Sequence, residues 1–183
     1  MNRSTLIPLL MASLLTGCAS PPPTDAELVT TSFRAFTQLQ SLGWRGLAAQ
    51  RRYDDAATLI HRYLELNLDD LEPWQVSVLQ FHEAQMLACA GDTAGAIALL
   101  PASRIIPQPE GLAIDWNAMV DAVEAFLEKD RDALITAQSK IDLRGDSPAN
   151  RIEKERVAQL VANFGRPYQF AWRPGGPIEG TTP

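Results

Sequence analysis

The chain has 183 residues and a mass of 20.1 kDa, with 46% hydrophobic and 21% charged residues. That apolar share excludes global disorder, and the length fits one domain of ~100–200 residues. Its 16 Lys and Arg stand against 22 Asp and Glu, a formal charge of −6, which argues against nucleic acid because phosphates need a basic face. Two cysteines exclude a disulfide-dense scaffold.

The N-terminal segment reads as a targeting signal. Arg3 supplies a positive charge, and Leu6 to Leu15 is uncharged throughout. This stretch is well short of the ~20 apolar residues that a spanning helix needs. It ends in Leu15-Thr16-Gly17-Cys18, which resembles the lipobox of bacterial lipoproteins. The resemblance implies a signal peptide over 1–17, a thioether-linked diacylglycerol on Cys18, cleavage before that residue and acylation of the new amino group. Membrane lipid is then the first expected partner, since two or three acyl chains anchor stably where one is marginal. Residue 19 is alanine and not aspartate. By the sorting rule of enterobacterial lipoproteins this implies the inner leaflet of the outer membrane, facing the periplasm. Removing 17 of 183 residues leaves 166, and losing Arg3 takes the basic count from 16 to 15 against 22 acids, a charge of −7.

Residues 18–24 carry three consecutive prolines, Pro21 to Pro23. Proline runs favour extended polyproline geometry at ~3.1 Å per residue, so this segment reads as a short stiff tether. The body, 25–164, has helical period. Thr24-Asp25-Ala26-Glu27 has capping-box spacing and opens a helix with Val29, Phe33, Phe36 and Leu39 on its apolar face. Leu42 to Gly46 interrupts it. Tyr53 to Asn67 is a helix with Ala56, Leu59, Ile60, Tyr63 and Leu64 on one side. Glu72-Pro73-Trp74 starts the next, with Pro73 near its first position. Asp92, Asp115 and Asp130 each open another, and Ser147-Pro148 opens the last. No stretch alternates with period two, so no sheet is expected.

The helices fall into pairs. Arg52-Tyr53-Asp54-Asp55-Ala56, Asp92-Thr93-Ala94-Gly95-Ala96 and Asp130-Arg131-Asp132-Ala133 each follow an apolar helix after a short break. With Ala56, Ala96 and Ala133 taken as equivalent, the spacings are 40 and 37 residues, the period of a repeat array. The segment from Leu87 through Gly91-Asp92 to Leu100 resembles the helix-turn-helix junction of a tetratricopeptide repeat, with Gly91 at the turn and Ala96 at the close crossing. The resemblance implies an all-α, tetratricopeptide-like array of antiparallel helix pairs over roughly 25–142, about three pairs, with a C-terminal capping helix. Three features depart from that family: the period exceeds ~34 residues, Arg51-Arg52 and Lys129-Asp130 replace the turn glycine, and the closing proline is absent. Segment 165–183 is broken by Pro and Gly, which exclude a helix. It reads as an extended strap whose Tyr168, Phe170 and Trp172 cover an end of the array, or as a partner-binding segment.

Chemistry is sparse. His61 and His82 lie in helices with no second histidine at i+3 or i+4, and zinc needs three or four convergent ligands, so no metal is expected. There is no P-loop, no Gly-x-Ser-x-Gly and no Gly-x-Gly-x-x-Gly, so neither an enzyme, a cofactor nor a small-molecule substrate is inferred. Cys89 sits among apolar residues and reads as a buried, inert thiol. Trp74 and Trp116 lie early in successive helices, 42 residues apart, and could stack as neighbouring rungs or line a groove. The expectation is an envelope scaffold or adaptor that binds a periplasmic protein through Trp74, His82 and Trp116. Similar tetratricopeptide lipoproteins act as scaffolds and adaptors in envelope assembly, an analogy at the level of fold. An immunity-type lipoprotein that neutralises a periplasmic toxin is the alternative, and an envelope enzyme with a dispersed site is a second.

Overall fold

Helix starts in this chain are set by local capping chemistry. The computed structural model describes residues 22–39, 43–110, 112–143 and 145–172. The lipobox, Cys18, most of the tether and the tail beyond Trp172 lie outside the described residues. Those residues form α1 (Asp25–Thr30), α2 (Phe33–Gln38), α3 (Trp44–Ala49), α4 (Tyr53–Asn67), α5 (Pro73–Ala90), α6 (Thr93–Leu99), α7 (Trp116–Glu128), α8 (Arg131–Asp142), α9 (Pro148–Ala162) and α10 (Tyr168–Ala171). Single 3₁₀ turns, Leu68–Asp70 and Leu100–Ser103, extend α4 and α6. No strand occurs among the described residues, and the fold is all-α. No helix there is long and apolar enough to cross a membrane.

The capping box at the start of α1 is present. The Thr24 backbone N–H donates to Glu27 Oε2 at 2.7 Å, and the Glu27 N–H donates to Thr24 Oγ1. Asp92, Asp115, Asp130 and Ser147 each accept the backbone N–H three residues on, opening α6, α7, α8 and α9. The first helix, however, is two. Thr31 turns extended and Ser32 caps a new start, so α1 ends at Thr30. The break rotates the face: Leu28 and Phe36 are buried, whereas Val29 is 54% exposed.

Helix pairing follows from a repeated turn. Arg51, Gly91 and Lys129 all adopt positive φ, at 60°, 101° and 63°. After each, a backbone N–H reaches five residues back: Arg52 to Leu47 O at 3.0 Å, Asp92 to Leu87 O at 2.9 Å and Asp130 to Ala125 O at 2.9 Å. This is a Schellman closure, which satisfies the last carbonyls of one helix and reverses the chain into the next. The turn therefore recurs although glycine fills it once. Aligning the three turns makes Ala56, Ala96 and Leu134 equivalent, and all three are fully buried. Ala133 is exposed, so it does not belong to that set, and the turns repeat at 40 and 38 residues.

Two apolar cores meet along α5. One joins α1 to α4 with α5 through Leu28, Phe36, Trp44, Ile60, Tyr63 and Leu79. The other joins α5 to α10 through Phe81, Trp116, Val123, Leu134, Val157 and Tyr168. Helix α5 has no single apolar face: its buried residues lie on several sides, and both cores draw on it. Gly43 allows the close approach behind Trp44, since a Cβ there would lie 1.9 Å from Phe36 O.

The C-terminal segment is not wholly extended. Pro167 and Tyr168 open a single turn, α10, closed by the Trp172 N–H to Tyr168 O at 2.8 Å. One turn needs no propagation past proline or glycine, and burial of Tyr168, Ala171 and Trp172 against α5 and α9 supplies what propensity does not. Tyr168 and Trp172 cover the core as the strap was expected to, whereas Phe170 is 51% exposed.

Candidate functional site

The three residues singled out from the sequence occupy three environments. Trp116 is 8% exposed; its indole N–H donates to Ser103 O at 2.8 Å, and its ring meets Phe81 edge-on at 5.2 Å. It is core, because the 3₁₀ turn Leu100–Ser103 folds over it. Trp74, by contrast, is 49% exposed. Its ring packs edge-on against Phe33 at 5.3 Å, and the two tryptophans do not stack as rungs. Phe33, Arg34, Leu39, Trp74 and Gln75 line an open groove of about 920 Å³ between α2 and the start of α5.

His82 belongs to a different constellation, a polar junction where α3, α5, α9 and α10 converge. Its ring lies 4.8 Å from that of Trp44, and its Nδ1 is 3.1 Å from Gln85 Oε1. Gln85 is buried and its Nε2 donates to the Tyr168 hydroxyl at 3.3 Å. Tyr168 stacks on Trp172 at 6.0 Å, and the Arg156 guanidinium lies over the Trp172 ring at 5.5 Å. Arg156 also donates to Glu153 Oε1 at 2.7 Å. On the α3 side, Arg45 lies over the Trp44 ring at 4.6 Å and donates through Nε to Thr37 O. Burial, with the Arg45 charge adding to it, drives the His82 pKa down to about 3, so the imidazole is neutral at physiological pH. Burial likewise pushes the Glu153 carboxyl up, against the pull of Arg156. The remote partners Arg45, Glu153 and Arg156 carry no spacing relation to His82, so sequence reading finds His82 alone.

Elsewhere, His61 Nδ1 lies 3.1 Å from Glu83 Oε1 and its Nε2 3.6 Å from Glu65 Oε1. The contact with buried Glu83, on the neighbouring helix, adds to the His61–Glu65 pair visible in the sequence. No group of three or more His, Cys, Asp or Glu able to hold a metal occurs among the described residues. Cys89 is buried and free, and burial pushes its thiol up to about 12, far from a reactive thiolate. The arrangement offers an aromatic groove open to solvent at Trp74, and two guanidiniums flank the half-buried His82. No protein-family model, curated protein or solved structure matches the chain.

Proposed function

We propose that the chain is a lipid-tethered envelope lipoprotein whose helical body holds a partner protein in the groove between α2 and α5. The observation that carries the reading is the exposed Phe33–Trp74 pair. Large aromatics left open beside apolar neighbours are the usual anchors of protein interfaces, and an extended partner segment bearing an apolar side chain suits an open groove. The recurring turn at Arg51, Gly91 and Lys129 supports a divergent tetratricopeptide-like array as the scaffold. The lipobox-like Leu15-Thr16-Gly17-Cys18 supports the anchor and the outer-membrane, periplasm-facing location.

The test is crosslinking and pull-down of the lipidated protein from native envelope. Trp74→Ala should weaken recovery of the partner tenfold or more, in keeping with the ≥2 kcal/mol of an aromatic anchor. Phe170→Ala, an equally exposed aromatic remote from the groove, should leave recovery unchanged. Equal recovery with Trp74→Ala refutes the groove. Cys18→Ser should abolish acyl labelling and release the chain from the membrane fraction; continued labelling refutes the anchor.

A further inference from the structure

The polar junction around His82 carries one positive charge more than its own residues balance. Among the described residues, Glu153 is its carboxylate and is committed to Arg156, while Arg45 meets only the Thr37 carbonyl and the face of Trp44. The chain treats a comparable residue differently. Arg104, also half-buried, is paired with both Asp121 and Glu124. A half-buried guanidinium without a counter-charge carries a desolvation cost that nothing offsets.

A second observation points the same way. Three buried polar side-chain atoms have no hydrogen-bond partner among the described residues: Trp44 Nε1, Glu153 Oε2 and Asn150 Oδ1. Two of the three belong to this junction, and of these the Trp44 N–H is a donor that an anion can accept from. Trp44 is 1% exposed, so its N–H has no access to solvent.

The geometry points to a ligand site here, in which Arg45, with His82 and Arg156 beside it, holds one carboxylate at the half-buried rim above Trp44, Tyr168 and Trp172. Each guanidinium lies over an indole ring, 4.6 Å from the centroid for Arg45 and 5.5 Å for Arg156, and the terminal nitrogens of Arg45 meet no protein acceptor among the described residues. The planar fork of arginine matches the two oxygens of a carboxylate. Charge selects the anion. One surplus positive charge is balanced by a carboxylate, whereas a phosphate dianion would leave a buried negative charge. The half-buried Arg45, His82 and Arg156 form the rim, while Trp44, Tyr168 and Trp172 close the core beneath it, so the carboxylate sits at the rim and its apolar body points outward. The carboxylate can come from a free organic acid or from the end of a peptide chain. The site is separate from the Trp74 groove and stands without the adaptor reading.

The test is an NMR titration of the full chain in detergent, following the Trp44 indole N–H, assigned with Trp44→Phe. The probes are N-acetyl-phenylalanine and the tripeptide Ala-Ala-Phe, each beside its C-terminal amide, and inorganic phosphate. The acids should shift the Trp44 signal and bind at least tenfold tighter than their amides. Tenfold preference for the tripeptide assigns a chain end, and the reverse a free acid. Arg45→Gln should weaken the acids at least tenfold, and the exposed control Arg151→Gln should not. If Arg45→Gln fails to fold by its thermal melt, Arg45→Lys keeps the charge without the fork and should bind at least threefold more weakly. Acids bound no better than amides, phosphate bound tighter than the acids, or parental binding by the folded Arg45 variant would each overturn the site.

Discussion

Lys129→Gly should stabilise the protein. Lys129 sits at φ 63° and ψ 30°, a left-handed conformation that costs an L-residue about 1–2 kcal/mol. Glycine adopts it without that cost but surrenders more freedom from the unfolded chain, roughly 0.5–1 kcal/mol. The difference is a net gain of about 0.5–1 kcal/mol. The side chain itself contributes little, being exposed, with no hydrogen bond or ion pair among the described residues. Its charge lies between the C-terminus of α7 and the N-terminus of α8, where the two helix dipoles act in opposite senses. For a domain of this size the gain corresponds to a rise in Tm of about 1–4 °C, measured by thermal and urea melts of the full chain. Gly91→Ala tests the same reasoning in reverse. A Cβ at Gly91 would meet nothing within 4 Å, so the penalty is purely one of backbone, and φ 101° lies farther from the left-handed minimum. It should destabilise by about 1–2 kcal/mol. A Lys129→Gly protein no more stable than the parent, or a neutral Gly91→Ala, would refute the reading of these junctions as one recurring turn held at different backbone cost.

Two further predictions concern the cores. Phe36 is fully buried and stacked on Tyr63 at 3.9 Å, so Phe36→Ala should cost about 3–5 kcal/mol in urea unfolding; a loss below about 1 kcal/mol would mean that α2 does not belong to the folded core. His82 gives stability a pH dependence of known sign. Its pKa falls from 6.5 to about 3 on folding, so below pH 6.5 the unfolded chain takes up a proton that the folded chain refuses. Stability is therefore full above pH 6.5 and declines toward pH 3, by about 1.3 kcal/mol between pH 7.5 and 5.5. His82→Gln should flatten that interval in urea melts; an unchanged slope in His82→Gln would show that the imidazole stays accessible to protons.

Helix starts were legible because capping is local: Thr24 with Glu27, and Asp92, Asp115, Asp130 and Ser147, each bond to residues three positions away. What escaped depends on contacts distant in sequence. The break at Thr31-Ser32 leaves the helical spacing of apolar residues intact on paper while turning Val29 outward. The shift from Ala133 to Leu134 is one residue, small against the period of the array, and only the shared backbone turn fixes it. Trp74 and Trp116 look alike in sequence, each near the start of an apolar helix. The 3₁₀ turn that closes over Trp116 separates this core residue from Trp74, which no such turn covers among the described residues.

The polar junction was half legible, and the missing half is instructive. Helix α5 packs between two cores, so a polar side chain in its middle has few exits to water. His82, Glu83 and Gln85 interrupt its apolar run, and buried polar groups require partners. The sequence therefore announces that α5 must be met by polar residues from other elements. It cannot say which, because Arg45, Glu153, Arg156 and Tyr168 lie on α3, α9 and α10, helices whose own patterns are those of ordinary exposed arginines and acids. The fold converts these residues into a half-buried cluster with a surplus charge and two orphaned polar atoms. Stability alone does not favour such an arrangement, since apolar replacements of similar shape would remove the desolvation cost. The surplus charge is accounted for once a ligand carboxylate is part of the balance.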